Sequence, residues 1–103
     1  MTKDAKATRH SDEALLVMVS LANGPKHGYA MIKDIANLAG RRLGPGTLYG
    51  AITRLERQGC IEPLPSDDRR RVYRLTQAGA QILRSELDRH KRVARVGLLR
   101  LAR

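Results

Sequence analysis

Apolar positions recur along this chain first with the period of a helix, then of a strand, then of a helix again. After Ser11 the run ALLVMVSLA spreads Leu15, Leu16, Met18 and Val19 over more than one face. That pattern predicts a helix through about Ala22, closed by Asn23-Gly24-Pro25, that is deeply buried or shared with a second subunit. Ser11 is its N-cap, and Asp12 and Glu13 suit the positive end of the helix dipole. A second helix is expected from Gly28 to about Leu38, with Ala30, Met31, Ile35 and Leu38 inward and Lys33, Asp34 and Asn37 outward. A third follows the Pro45-Gly46 turn, capped by Thr47. Leu48, Ala51, Ile52 and Leu55 then fall at i, i+3, i+4 and i+7, and Gly59 stands where a left-handed residue ends such a helix.

Beyond Gly59 the period shortens. CIEPL leans towards strand, PSDD is turn chemistry, and RRRVYRLT is a second strand with Tyr73 and Leu75 on one face and Val72 on the other. Together they predict a β-hairpin with Arg69, Arg70 and Arg71 at its tip. Thr76 caps a last helix running from Gln77 nearly to Arg103. Ile82, Leu83, Leu87, Ala94, Val96, Leu98 and Leu101 follow a loose three-to-four spacing there, with His90 in the seam and Gly97 marking a bend or fraying. So long a helix has little of its own domain left to pack against, so its stripe is expected to meet a second copy.

The expected fold is therefore mainly α with a small β-hairpin wing. Residues 1–10 form a flexible basic tail, 11–75 a winged helix-turn-helix domain, and 76–103 a C-terminal dimerisation helix. Leu15, Leu16, Val19, Leu83, Leu87, His90, Ala94, Leu98 and Leu101 are the candidate dimer residues.

Composition sharpens this reading. The 103 residues suit one domain with one modest core. There is no Trp or Phe and only 3 Tyr, so aliphatic residues must build that core. Lys and Arg number 20 against 10 Asp and Glu, a net charge of +10, and the excess lies beyond residue 40. With a pI near 10.9, such a chain points to a polyanion, most often nucleic acid. One Cys excludes an internal disulfide, and neither a membrane span nor a signal-peptide core is present in the sequence. A soluble cytoplasmic protein is expected.

The outer face of the third helix carries Gly46, Thr47, Tyr49, Gly50, Thr53 and Arg54, which are small, hydroxylated or cationic, with no acid among them. A slim polar face with a basic flank fits the major groove of double-stranded DNA, where bulk would keep it out. An ordinary amphipathic surface helix is the alternative. Lys26, His27 and Tyr29 cluster at the start of the second helix, where free N–H groups favour an anion. His27 is equally readable as a structural residue packing the turn. Arg69, Arg70 and Arg71 are candidate phosphate or minor-groove contacts, against the alternative of a solvated turn partly neutralised by Asp67 and Asp68.

Three segments also carry a family resemblance: NGPKHGYAMIKDI at 23–35, GPGTLYGAITRLERQGCIE at 44–62 and DDRRRVYRLTQAGAQIL at 67–83. In order and spacing, HGY, GTLY, RLE and R-x-Y-x-LT-x-x-G resemble the PadR-type winged-helix transcription regulators. The resemblance implies homodimers, mostly repressors, often released by a small ligand or a stress signal. It also implies that Tyr29, Thr47, Tyr49, Arg70 and Arg71 lie at the DNA, and that one terminal helix dimerises without a separate ligand domain. Multidrug-binding relatives sandwich flat ligands between aromatic side chains, Trp above all. The lack of Trp and Phe here argues against a flat aromatic effector, leaving a small molecule of unknown identity.

Other classes fare worse. No Gly-rich phosphate loop, Ser/His/Asp set or Cys/His metal spacing is present, so neither catalysis, a cofactor nor a metal is expected. The competing class is a basic winged helix that binds RNA or the ribosome, although RNA readers usually display more stacking aromatics than Tyr29, Tyr49 and Tyr73. Cys60 is a candidate redox sensor beside the third helix, or alternatively a small apolar residue of the core.

Overall fold

A computed structural model describes residues 10–65 and 69–103. The expected tail segment 1–9 and the turn residues Ser66, Asp67 and Asp68 lie outside them. The elements are α1 (Asp12–Leu21), β1 (Lys26–His27), α2 (Gly28–Ala39), α3 (Pro45–Arg57), β2 (Ile61–Leu64), β3 (Val72–Leu75) and α4 (Gln77–Leu101). The strands form an antiparallel sheet in the order β1-β3-β2. Leu64 stands opposite Val72 and Ile61 opposite Leu75, as in the expected hairpin. Across the same ladder Glu62 faces Arg74, whose Nε lies 2.5 Å from the carboxylate. Strand β1 adds Lys26 opposite Tyr73 and His27 opposite Val72. Two residues are too few for an alternating pattern, and this strand was not legible in the sequence.

One core runs through the described residues. Val17, Met18 and Leu21 of α1, Met31 and Ile35 of α2, and Leu48, Ile52 and Leu55 of α3 meet Ile61, Tyr73 and Leu83. On α3 the predicted stripe of Leu48, Ala51, Ile52 and Leu55 is buried. On α1 the core residues are Val17, Met18 and Leu21, of which the pattern singles out only Met18, while Leu15, Leu16 and Val19 are partly buried. Helix α2 brings two corrections. Leu38 is exposed, and the partly buried Ile32 packs against the core instead. Asp34 is turned inward, where it accepts a 2.7 Å hydrogen bond from the buried Ser20 hydroxyl. A second tie, between Arg41 and Glu13, joins α1 to the α2–α3 turn. There the Glu13 backbone N–H, and then the Arg41 guanidinium, hold the Glu13 carboxyl below its ordinary value.

Caps explain where the helices begin and end. Ser11 Oγ accepts from the Ala14 N–H at 3.2 Å and Thr76 Oγ1 from the Gly79 N–H at 3.0 Å, as expected. Helix α3 departs from expectation: Gly44 is its N-cap, Pro45 its first residue, and no side chain caps it. Pro at this position loses nothing, because the N–H it lacks would have had no helical partner. Thr47 is thereby left inside the first turn with its side chain outward. At the other end Gly59 takes φ +78°, its N–H bonding Glu56 O (3.1 Å), while Cys60 N–H bonds Leu55 O (2.9 Å). That pair of bonds is the Schellman closure, which requires a left-handed residue after the cap. Helix α4 is continuous through Gly97, with no break at the expected bend.

His10 belongs to the fold and not to the tail. Its ring bridges Gln58 Oε1 (3.0 Å) and the carboxylate Oε2 of Glu86 on α4 (2.5 Å). Its side chain is 7% exposed, so this contact pins the entry to α1 between α3 and α4.

Candidate nucleic-acid interface

The start of α2, the first turns of α3 and the hairpin arginines converge on one recess. Its volume is about 340 Å³, and His27, Gly28, Tyr29, Tyr49, Arg69, Arg70, Arg71 and Tyr73 line it. Three separate stretches of sequence supply these residues, and β1 explains how they meet. By pairing with β3 it fixes the start of α2 against the strand that follows the three arginines. Of the expected nucleic-acid contacts, His27, Tyr29, Tyr49, Arg69, Arg70 and Arg71 are brought together here.

His27 has a structural task within the recess. As N-cap of α2 its Nδ1 accepts the Ala30 N–H at 3.3 Å, which requires the ring proton on Nε2. Tyr29 is exposed, and the Lys33 ammonium lies over its ring, 5.6 Å from the centroid. Tyr49, also exposed, reaches across from α3 to rest on the Gly28 backbone. The sequence pattern does not mark Gly28 or the buried Tyr73 as site residues, although both occur in the family motifs; Gly28 admits the Tyr49 ring and Tyr73 forms part of the wall.

The rest of the expected reading face lies beside the recess on α3. Gly46, Thr47, Thr53 and Arg54 are exposed, and Gly50 is half-buried. Thr53 donates its hydroxyl back to Tyr49 O at 2.9 Å. A Cβ placed on Gly50 would meet only the Arg54 guanidinium, at 3.7 Å, so the glycine keeps this face thin without being needed for packing. The helix N-terminus contributes no acid, and both its basic residues, Arg54 and Arg57, lie in its last turn.

Lys26 is a correction. Its ammonium donates to Ser20 O and to Asn23 Oδ1 (2.7 Å), closing the C-terminal end of α1 and turning away from the recess. A cation there satisfies carbonyls that the helix leaves unpaired.

Cys60 is a second correction. It is 1% exposed within the core, and burial, followed by the nearby Glu86 charge, pushes its thiol up from the ordinary value. A sensor thiol needs access and thiolate character, and this one has neither.

The expected dimer residues divide into three groups. Leu15, Leu16 and Val19 are half-buried and pack against the core. Leu83 is a core residue of its own chain, 5% exposed, and therefore not a free interface side chain. Leu87, Leu98 and Leu101 are 41%, 69% and 83% exposed, and Ala94 and His90 are exposed with them. His90 Nδ1 donates to Glu86 O at 2.8 Å. Among the described residues, no helix is long and apolar enough to cross a membrane.

Comparison with known proteins agrees with this geometry. The sequence pattern of the transcriptional regulator PadR-like family matches residues 17–85. An uncharacterised 37.1 kDa protein in transposon TN4556 of Streptomyces fradiae is 46% identical over 78 residues, 76% of this chain and 23% of that protein. Transcriptional activator GvpE1 of Halobacterium salinarum is 36% identical over 73 residues, 71% of this chain and 37% of that protein. The chain thus spans well under half the length of these curated relatives. A PadR family transcription regulator from Clostridium difficile R20291 superposes with TM-score 0.81 at 23% identity, covering 88% of this chain and 99% of that one.

Proposed function

Since the chain belongs to the PadR-like family of transcriptional regulators, we propose that it binds double-stranded DNA sequence-specifically, as a homodimer on a pseudo-palindromic operator. One observation carries the proposal. The recess gathers Tyr29, Tyr49 and three consecutive arginines beside a thin, acid-free helix face. A duplex offers the complementary surface: a groove that admits a helix, bordered by phosphates for the arginines. Thr47, Tyr49, Gly50, Thr53 and Arg54 read the groove in this account, Arg54 addressing a guanine edge, while Arg69, Arg70 and Arg71 hold the backbone.

The dimer follows from α4. At 3.6 residues per turn, Leu87, Ala94, Leu98 and Leu101 share a stripe about 60° wide, and in the single chain its leucines are exposed. Burying that stripe against a second copy gives a two-fold axis. Two reading helices about 34 Å apart would then meet half-sites one helical turn apart. We assign repression because the resemblance implies it; GvpE1 carries the name of an activator. A reporter driven by the natural operator distinguishes the two, rising on loss of a repressor and falling on loss of an activator.

The recognition face is tested by Gly50→Leu. Its new side chain projects from the thin face without a clash in the fold, so thermal melting stays unchanged while the operator footprint disappears. A Gly50→Leu protein that still protects the operator would overturn the assignment.

A further inference from the structure

A second recess, of about 260 Å³, lies on the outer face of α2 and shares one wall, Tyr29, with the first. Lys33 and Asn37 line it one and two turns further along the helix, and Arg42 closes it from the α2–α3 turn. We infer that Lys33, Asn37 and Arg42 form a second phosphate-binding shelf, which extends the protein's grip on duplex DNA beyond the recognition recess and contributes affinity without sequence preference. The inference rests on the DNA-binding reading above.

The local charges separate this face from an ordinary solvated surface. The neighbouring cations are engaged elsewhere: Arg41 with Glu13, and Lys26 with the end of α1. Asp34, the one acid of α2, is turned inward to Ser20. Lys33 and Arg42 therefore stand without a carboxylate partner among the described residues, and Asn37 between them is exposed and offers an amide N–H. Lys33 is held at the shared wall, its ammonium over the Tyr29 ring. The shelf is thus continuous with the recess and lacks an acid to repel phosphate.

Its length suits the ligand. From Tyr29 to Asn37 the helix advances about 12 Å, enough to meet more than one phosphate of a single strand. With α3 in the groove, as proposed above, a lysine, an amide and an arginine spread over that span of α2 follow the backbone rather than the base edges. Such contacts fix position and carry no base information.

Salt dependence tests the shelf. Wild type, Lys33→Gln, Arg42→Gln and the double variant are titrated with operator and with random duplex from 50 to 200 mM salt. Each substitution is expected to lower the slope of log K against log salt by about 0.9, so in the double variant the loss of affinity across that range shrinks about tenfold. Operator and random duplex weaken by the same factor, and Arg41→Gln, whose guanidinium is held by Glu13, leaves the slope unaltered. The Lys33 and Arg42 side chains are exposed and have no carboxylate partner among the described residues, so melting curves of their variants should superpose on wild type and establish that the fold is retained. If wild type binds its operator and the double variant keeps the wild-type slope, or if Arg41→Gln lowers the slope equally, the shelf is wrong and the recognition recess stands. If wild type binds no duplex, the DNA-binding reading falls and the shelf falls with it.

Discussion

Tyr49 of α3 rests on the backbone of Gly28 in α2, so closely that a Cβ at position 28 would overlap its hydroxyl and lie 2.7 Å from Cζ. The glycine is not there for its dihedral freedom, because Gly28 has an ordinary negative φ at the first residue of a helix. It is there to let an aromatic ring cross from one helix to the next. Gly28→Ala should therefore push Tyr49 out of the recess at little cost to stability, because the atoms that must give way are the far end of an exposed tyrosine side chain and not backbone. A melting temperature within a few degrees of wild type, with operator affinity lower by at least tenfold, is the expected result. Undiminished affinity would separate Tyr49 from DNA binding.

Gly79 makes the opposite prediction. A Cβ there would run into the carbonyl oxygen of Cys60 and lie 2.9 Å from its carbonyl carbon, and both belong to the backbone. That carbonyl also accepts the Thr76 N–H at 3.0 Å, so it cannot easily withdraw. Gly79→Ala should cost about 1–3 kcal/mol or more by forcing α4 off the α3–β2 corner. Thr76→Ala, which loses the cap and the hydrogen bond its hydroxyl donates to Gly59 O at 2.7 Å, should cost less, about 1–2 kcal/mol. Denaturant unfolding measures both, and the reverse order would contradict the packing.

Cys60 should behave as core and not as a sensor. In the native protein a thiol-alkylating reagent should react with it far more slowly than in unfolded chains, whose thiol keeps its ordinary value of 9.0. Because the folded thiol lies above that value, the native state holds its proton longer than the unfolded state does. Its contribution to stability is complete below pH 9.0 and is lost as pH rises from there through the raised folded value. Rapid alkylation at neutral pH, or loss of operator affinity under mild peroxide in wild type but not in Cys60→Ser, would reverse this conclusion.

Assembly is read by sedimentation. Chains ending after His90 lack Ala94, Leu98 and Leu101, and should sediment as monomers with weak, sequence-independent affinity for DNA. A dimer of unchanged stability would move the interface elsewhere, to α1 or to the part of α4 that remains.

What was legible in the sequence was whatever a local pattern encodes. The stripe Leu48, Ala51, Ile52 and Leu55 placed α3, and Gly59 ended it, because helical periodicity and left-handed glycine act within a few residues. The family motifs point to Tyr29, Tyr49, Arg70 and Arg71 together, and the hairpin pattern adds Arg69 at the tip; all five line the recess, with Thr47 beside it. The errors lie where tertiary partners decide. Asp34 reads as a solvent residue until Ser20 of another helix is seen to need an acceptor. Lys26 reads as an anion-binding cation until the end of α1 is found beside it. His10 looks like tail because Glu86, its partner, is 76 residues away. Residue type favours Thr47 as a cap, whereas Pro45 fixes the first helical position and places Thr47 inside the turn.

The recess and the face of α3 should recognise duplex DNA. Fragmented genomic DNA, selected on the purified protein and sequenced, decides this, with the recovered fragments titrated against structured RNA at matched salt. Two-fold-symmetric sites with half-sites about one helical turn apart should be enriched, and bound at least about a thousandfold more tightly than random duplex. Recovery without a common sequence, or tighter binding to the RNA than to any recovered duplex, would contradict it.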